Sequence, residues 1–409
     1  MTFKKLAGTL HLWLGLASGL VVFIVSITGC IYVFETEIRG AVERGFQNVE
    51  AQTAPRLPVS SLKTIGAQAL SAELGRPLKA QYQNVTLYRD PTKAAYFYAY
   101  NETPEVYHYV YLNPYTGRVL KVQDRRSDFF GIVLELHTSL MLPHAVGHYV
   151  VGVSVLIFVI SLITGLILWW PRHRSAARQR FAVKWSARWR RVDYDSHNVF
   201  GFYSLPLALV IALTGLVWSF GWVDKTVDWL ANGGQLSPEL REPKVSNALK
   251  FSTALPDRLL AGAWAKYPDA PMFSVDFPAS DTATLALGVY PSLTTYHDSR
   301  YLLFDPATGR LLREESPETQ TAGQRLRAMN YDIHIGKILG LPGQLLAFFA
   351  SLVAASLPVT GFLIWWGRRK KAAKPKHKAG ARKLPSSHPS ASPRRPLAGA
   401  RAVANRPVS

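Results

Sequence analysis

The sequence predicts an α-helical membrane bundle of four transmembrane helices in two repeated halves, each half carrying an outer α+β module. Four apolar runs have about 20 residues or more, the length that crosses a hydrocarbon layer of about 30 Å. They lie near residues 10–34, 146–170, 198–220 and 343–366. The repeat is visible because His11–Gly29 aligns without a gap with His197–Gly215. Both segments have a histidine at the start, a glycine four residues later and Thr-Gly at the end.

A second pair of segments supports the same division into halves. Residues 135–170 resemble residues 332–366 with one residue of slippage, and both end in Thr-Gly-x-x-x-Trp-Trp. Each half therefore contributes two histidine-bearing hydrophobic segments. The loop in each half has a helical pattern followed by strand-like runs. A turn of the type Asn/Asp-Pro-x-Thr-Gly-Arg precedes the last strand, because proline fixes φ and glycine supplies a positive φ.

The charge distribution predicts the orientation of the spans. The net charge is +20, and residues 172–191 carry eight Lys/Arg and no acid, while residues 367–409 carry thirteen and no acid. By the positive-inside rule, both termini and the loop between spans two and three are cytoplasmic, and the two long loops lie outside. The basic segments flank spans, where they serve topology and anionic membrane lipids, so we do not expect nucleic acid as a partner.

These boundaries divide the chain into eight segments. They are transmembrane helix 1 (1–35), outer module 1 (36–128), an interface helix with transmembrane helix 2 (129–171), a basic cytoplasmic loop (172–196), transmembrane helix 3 (197–221), outer module 2 (222–326), an interface helix with transmembrane helix 4 (327–367) and a disordered basic cytoplasmic tail (368–409).

The first pair of repeated histidines predicts a cofactor site near the cytoplasmic side. His11 and His197 would lie at matching depth in spans one and three. Polar side chains are costly within a membrane span, so their presence there indicates a function. Two helices that each offer an imidazole across a bundle can ligate haem iron from both sides. Gly15 and Gly201 lie one turn further on and would leave room for a porphyrin. The single cysteine, Cys30, and the absence of C-x-x-C-H imply b-type haem.

The second pair, His137 and His334, predicts a further bis-histidine site near the outer face. Pro143 and Pro342 would bend the two segments there and bring the histidines together. His148 or His144, on one helix face close to the span, is the alternative ligand at this site.

The acids two residues before these histidines, Glu135 and Asp332, could support the histidines from behind or be helix-start carboxylates. The second interpretation is favoured, because an acid two residues away on a helix points elsewhere. His108 and His297 are expected to be surface residues. A site in which histidines alone hold a metal is less favoured, because such sites want three or four clustered donors.

The ordered set of motifs resembles the PepSY-associated transmembrane-helix family over residues 1–370. It comprises the His-x-Trp-x-Gly start at His11, the Leu-His-x-Ser-Leu at residues 136–140, both Thr-Gly-x-x-x-Trp-Trp endings and both outer turns. Within that family the chain looks most like inner-membrane ferric-siderophore reductases linked to ferrioxamine use. It departs from the family at Leu12 and Asn198, where an arginine is common, which puts contacts to haem propionates in doubt.

This resemblance implies a multi-pass protein of the bacterial inner membrane with PepSY-like periplasmic modules and two haem b groups. It implies four ligands, His11, His137, His197 and His334, and reduction of a ferric siderophore, expected to be of the hydroxamate type, by electrons from a cytoplasmic or quinol donor. Two alternatives remain: a haem quinol oxidoreductase with another acceptor, and a membrane-anchored periplasmic binding or regulatory protein without redox activity.

Overall fold

Four long apolar helices and one large antiparallel sheet make up the molecule. A computed structural model describes residues 2–102, 105–171, 180–240, 243, 245 and 252–372. The chain divides into two units, residues 1–367 and 368–409. The predicted loop at 172–196 is described only from residue 180, and the predicted tail lies outside the described residues beyond residue 372.

In chain order, the described elements are α1 (Phe3–Tyr32), α2 (Glu35–Val42), α3 (Arg44–Gln47), α4 (Val59–Leu74), β1 (Tyr82–Tyr88), β2 (Ala95–Asn101), β3 (Val106–Leu112), β4 (Val119–Asp124), α5 (Phe129–Ser139), α6 (His144–Trp169), α7 (Trp189–Ser219), α8 (Gly221–Ala231), α9 (Leu255–Lys266), β5 (Met272–Asp276), β6 (Leu285–Tyr290), β7 (Arg300–Phe304), β8 (Leu311–Glu315), α10 (Ala322–His334), a 3-10 turn (Lys337–Leu339) and α11 (Gly340–Ala372).

Helices α1, α6, α7 and α11 are long and apolar enough to cross a membrane. This confirms the prediction of four apolar helices. Helix α7 begins at Trp189, so the last residues of the predicted basic loop are its first turns.

Short helices α5 and α10 lead into α6 and α11. Asp128 caps α5 by accepting from the backbone N–H of Gly131, and Thr321 and Gln324 form a capping box at the start of α10. Pro143 directly precedes α6, where proline suits a helix start.

Pro342 was expected to break the second segment, but it lies in the first turn of α11. The break comes earlier, around Gly336 at φ 80°, in a left-handed conformation that glycine adopts without strain.

The two outer modules join into one eight-stranded sheet, with the order β4-β3-β2-β1-β5-β6-β7-β8. Strands β1 and β5 pair antiparallel at the centre, with Val85 opposite Val275. The sequence predicts the helix and four strands of each module but treats the modules as separate. An edge-to-edge pairing about 190 residues apart along the chain leaves no local pattern.

The sheet has one apolar and one tyrosine-rich face. The apolar face packs against α4 and α9, where Leu62, Phe97 and Phe273 are fully buried. The pairing registers place ten tyrosines on the opposite face: Tyr82, Tyr88, Tyr96, Tyr98, Tyr100, Tyr107, Tyr109, Tyr111, Tyr290 and Tyr301. We call this the tyrosine face.

The tyrosine face is turned toward the membrane helices. The Arg125 guanidinium lies 4.7 Å from the Tyr109 ring centroid and 3.1 Å from a carboxylate oxygen of Glu35 on α2. Arg39, also on α2, is buried among carboxylates, with Glu43 and Asp128 each 2.8 Å away. Because Asp128 caps α5, this ionic cluster ties the start of α5 to α2 and to the sheet.

Candidate functional site

The structure brings His11 and His197 together. They lie on α1 and α7, and their ring centroids are 6.2 Å apart with an interplanar angle of 84°. The Nδ1 atom of His11 lies 3.0 Å from the Ser161 carbonyl oxygen and 3.2 Å from Thr164 Oγ1, both on α6. The Nδ1 atom of His197 lies 2.8 Å from Thr360 Oγ1 on α11. Four helices therefore build this inner pair.

The structure also brings His137 and His334 together, with ring centroids 6.1 Å apart and an interplanar angle of 73°. The Nδ1 atom of His137 lies 2.9 Å from the Val25 carbonyl oxygen and 3.1 Å from Thr28 Oγ1, both on α1. The Nδ1 atom of His334 lies 2.9 Å from Thr214 Oγ1 on α7. This outer pair is therefore held by the same two helices that carry the inner pair.

A cavity of about 330 Å³ surrounds the outer pair. Its walls are mostly apolar and include Trp218 and Tyr331. Burial lowers the pKa of His137 and lowers that of His334 to about 3, with His137 as a second cause for His334. Both imidazoles are therefore neutral at physiological pH, which is the form that ligates a metal.

The spacing within each pair fits a shared iron atom. A metal–nitrogen bond is about 2 Å and a ring nitrogen lies about 1 Å from its centroid, so rings on opposite sides of one iron have centroids about 6 Å apart. The observed separations of 6.2 and 6.1 Å agree. Among the residues that the structure describes, no group of three or more His, Cys, Asp or Glu could hold a metal ion directly. The donor set therefore fits haem better than a bare metal.

Gly15 and Gly201 differ in their surroundings. A β-carbon added at Gly15 would meet nothing within 4 Å, which agrees with the expected space beside His11. A β-carbon at Gly201 would lie 3.3 Å from Leu357 on α11. Leu357 therefore packs closely against α7 at Gly201, and space for a porphyrin beside the two glycines stays a prediction.

His144 and His148 form a stacked pair with centroids 5.3 Å apart. His148 lines the outer cavity, and its Nε2 lies 3.0 Å from the Ser219 carbonyl oxygen. His144 is exposed. His137 and His334 form the pair with the 6.1 Å spacing, and a ligand role for His144 or His148 stays a prediction.

The structure differs from expectation at four outer polar residues. Asp332 lies near the end of α10 and Glu135 lies within α5, so neither starts a helix. The side chain of His297 is 15% exposed rather than a surface group, and its Nδ1 donates to Asp332 Oδ2 at 2.7 Å. His108 is half-buried on β3. The burial of His297 depends on the loop between β6 and β7 meeting α10, which local sequence does not show.

In the sequence, the four Thr-Gly pairs of the apolar segments stand out only as markers of the repeat. In the structure each threonine lies against the Nδ1 atom of one of the four paired histidines. The available signal was numerical, since four of the six Thr-Gly pairs in the sequence lie in the apolar segments, one for each repeated histidine, and the other two belong to the outer turns.

These features define a membrane protein with two half-buried imidazole pairs and a continuous eight-stranded sheet. The family model described as the PepSY-associated TM region matches residues 9–368, and the chain belongs to this family. This confirms the resemblance seen in the motifs. No curated protein matches the chain.

Proposed function

We propose that the protein is a di-haem b reductase of the bacterial inner membrane. It passes electrons from the cytoplasmic side to a ferric siderophore in the periplasm and releases Fe(II). The observation that carries this proposal is the presence of two histidine pairs with ring centroids 6.2 and 6.1 Å apart, each matching the spacing for one iron. When bound, haem supplies reversible one-electron transfer at each pair.

The two pairs lie near opposite ends of the spans, as transfer across a membrane requires. His11 is near the start of α1, and Gly29 near its end packs against the ring of His137. At about 1.5 Å of rise per residue, the eighteen steps from His11 to Gly29 span about 27 Å, close to the thickness of the hydrocarbon layer. The chain's part is to fix both imidazole pairs in an apolar bundle that excludes water.

The acceptor is proposed from family resemblance and from the aromatic surroundings of the outer pair. Trp218 lies 5.2 Å from His334, Tyr331 lies 6.5 Å from Trp218, and Tyr296 lies 6.2 Å from Tyr331, as ring centroids. A siderophore between the tyrosine face and the membrane helices would thus lie close to the outer pair. Hydroxamate oxygens bind Fe(II) weakly, so reduction would release the iron.

The orientation is proposed from charge. The basic segments place both termini and the loop between α6 and α7 in the cytoplasm, so the sheet is periplasmic. The inner pair then receives electrons from a cytoplasmic or quinol donor. The two halves are proposed to be repeats of one ancestral unit.

Haem content is the first test. The full chain, expressed with sufficient haem, is expected to show a Soret band and two haem b per chain. His11→Ala and His334→Ala should each lose one haem, whereas His144→Ala, at an exposed position, should keep both. A colourless wild-type protein, or unchanged haem content in both ligand variants, overturns the proposal.

The acceptor is tested separately by mixing the reduced protein with a ferric hydroxamate siderophore and an Fe(II)-trapping dye. Rapid haem oxidation with stoichiometric Fe(II) supports the proposal. Haem that stays reduced with every ferric siderophore while a quinone oxidises it refutes the siderophore assignment and favours the quinol oxidoreductase. His334→Ala should abolish the fast oxidation, because it removes the outer site.

A further inference from the structure

We propose that the four Thr-Gly pairs are positioning sockets that set the tautomer and ring orientation of the four paired histidines. The sockets are Thr28-Gly29 for His137, Thr164-Gly165 for His11, Thr214-Gly215 for His334 and Thr360-Gly361 for His197. This inference rests on the proposed haem function for its consequence, but its structural part concerns only the chain's own residues.

The hydroxyl proton of each threonine is already used within its own helix. Thr28 donates to the Ile24 carbonyl oxygen at 2.8 Å and Thr164 to that of Ile160 at 2.9 Å. Thr214 and Thr360 donate in the same way to the carbonyl oxygens four residues earlier, at 2.8 and 2.9 Å. A hydroxyl has one proton to donate, so each threonine can only accept from the imidazole beside it.

The backbone imposes the same requirement. The carbonyl three residues before Thr164 belongs to Ser161 and lies 3.0 Å from His11 Nδ1. The carbonyl three residues before Thr28 belongs to Val25 and lies 2.9 Å from His137 Nδ1. A carbonyl oxygen is only an acceptor. Each Nδ1 must therefore carry the proton, and each Nε2 is left as a free lone pair.

His197 and His334 follow the same rule. Each meets a threonine oxygen and also the backbone of the residue three positions before that threonine, Leu357 for His197 and Ile211 for His334. All four imidazoles are thus Nδ1–H tautomers. A metal-binding histidine whose other nitrogen donates to oxygen has a fixed orientation and a more basic ligand atom.

The glycine of each socket makes room for the ring. A β-carbon added at these glycines would lie 3.1 to 3.4 Å from the Cε1 atom of the histidine in the socket. The contact is tightest at Gly165, at 3.1 Å from His11. The absence of a side chain at the glycine therefore allows the Cε1 edge of the ring to approach the helix backbone, while the threonine hydroxyl and the carbonyl oxygen accept from Nδ1.

Each socket contacts one histidine, and the histidine belongs to the same half of the chain as the socket. Helix α6 holds His11 of α1, and α1 holds His137, which precedes α6. Because each socket contacts a histidine of one pair only, a change in one socket should affect one site only.

The first experiment measures the tautomer without relying on haem. Solid-state ¹⁵N NMR of the histidine-labelled full chain in bilayers should show His137 with a protonated Nδ1 and an unprotonated Nε2, its signal assigned by its loss in His137→Ala. The opposite tautomer overturns the socket. The Nδ1–H tautomer in a chain that binds no haem would support the socket while the proposed function fails.

The second experiment measures the reduction potentials of the two haems in Thr28→Val, Thr164→Val and the conservative Thr28→Ser. Without the threonine hydroxyl, the histidine is a less basic ligand and stabilises ferric iron less. If the preference for ferric over ferrous iron falls tenfold, the reduction potential of that haem rises by about 59 mV. Thr28→Val should shift only the outer haem, Thr164→Val only the inner haem, and Thr28→Ser should restore the wild-type value. Equal shifts in both haems, or identical potentials in the valine, serine and wild-type proteins, overturn the proposal.

Discussion

Removing the carboxylate of Asp332 should release the loop between β6 and β7 that carries Tyr296 and His297. Asp332 has no exposed surface, and its Oδ2 accepts from the Tyr296 N–H at 3.0 Å, the His297 N–H at 3.1 Å and His297 Nδ1 at 2.7 Å. A hydrogen bond to a charged group contributes about 1.5–3 kcal/mol. Because water replaces part of what is lost, we expect Asp332→Ala to weaken local closure by about 3–5 kcal/mol.

Asp298 provides a matched control on the same histidine. It lies 3.2 Å from His297 Nε2, but its side chain is 56% exposed, so Asp298→Ala should cost at most about 1 kcal/mol. Hydrogen exchange of the Tyr296 and His297 amides in the full chain measures both effects, with at least a hundredfold faster exchange expected for Asp332→Ala. If the two variants exchange within threefold of each other, Asp332 does not hold the loop.

Three further predictions concern the sheet and its connection to the membrane helices. Gly66→Ala should destabilise the packing of α4 by about 1–3 kcal/mol, because the new β-carbon would overlap the Phe97 side chain and outweigh the gain in helix propensity. Burial raises the pKa of Asp276 to about 6, so the native chain holds this proton more tightly than the unfolded chain. Stability should fall by up to about 3 kcal/mol as pH rises from about 4 to 7, and Asp276→Asn should remove this part of the pH dependence. Arg39→Ala should cost about 3–5 kcal/mol by leaving buried carboxylates unpaired, whereas Arg44→Ala, on an exposed side chain, should cost little.

Thermal unfolding of the full chain in detergent measures all three. An unchanged midpoint for Gly66→Ala would show that Phe97 moves aside. A wild-type pH profile that coincides with that of Asp276→Asn would mean that the carboxyl titrates normally. Equal unfolding midpoints for Arg39→Ala and Arg44→Ala would show that the ionic cluster around Arg39 does not stabilise the fold.

Local patterns were sufficient for the long apolar helices and the strands, but they did not indicate α2, α3 or α8. Apolar runs of membrane-spanning length identified α1, α6, α7 and α11, and alternation identified strands such as β3. The pairing of β1 with β5 was not predictable, because it depends on two distant edges meeting in space. The break before α11 was placed at Pro342 rather than at Gly336, because proline signals a break regardless of where a helix starts, whereas glycine matters only when its φ is positive.

The histidine pairs were predictable because the repeat relates them. His11 matches His197 and His137 matches His334 along the sequence, and the structure brings each matched pair within about 6 Å. The role of the threonines could not be read in this way. A threonine hydroxyl has one proton, so it can only accept from a histidine once it donates to a backbone carbonyl of its own helix. That hydrogen bond is visible in the structure but not in the sequence.

The distribution of sockets and histidines has a consequence for how such a chain can arise. The half that contains α1 and α6 carries one histidine of each pair and the sockets for both of those histidines. The half that contains α7 and α11 does the same. Two identical half-length chains related by a twofold axis would therefore assemble both complete sites, and joining their genes would permit the halves to diverge afterwards.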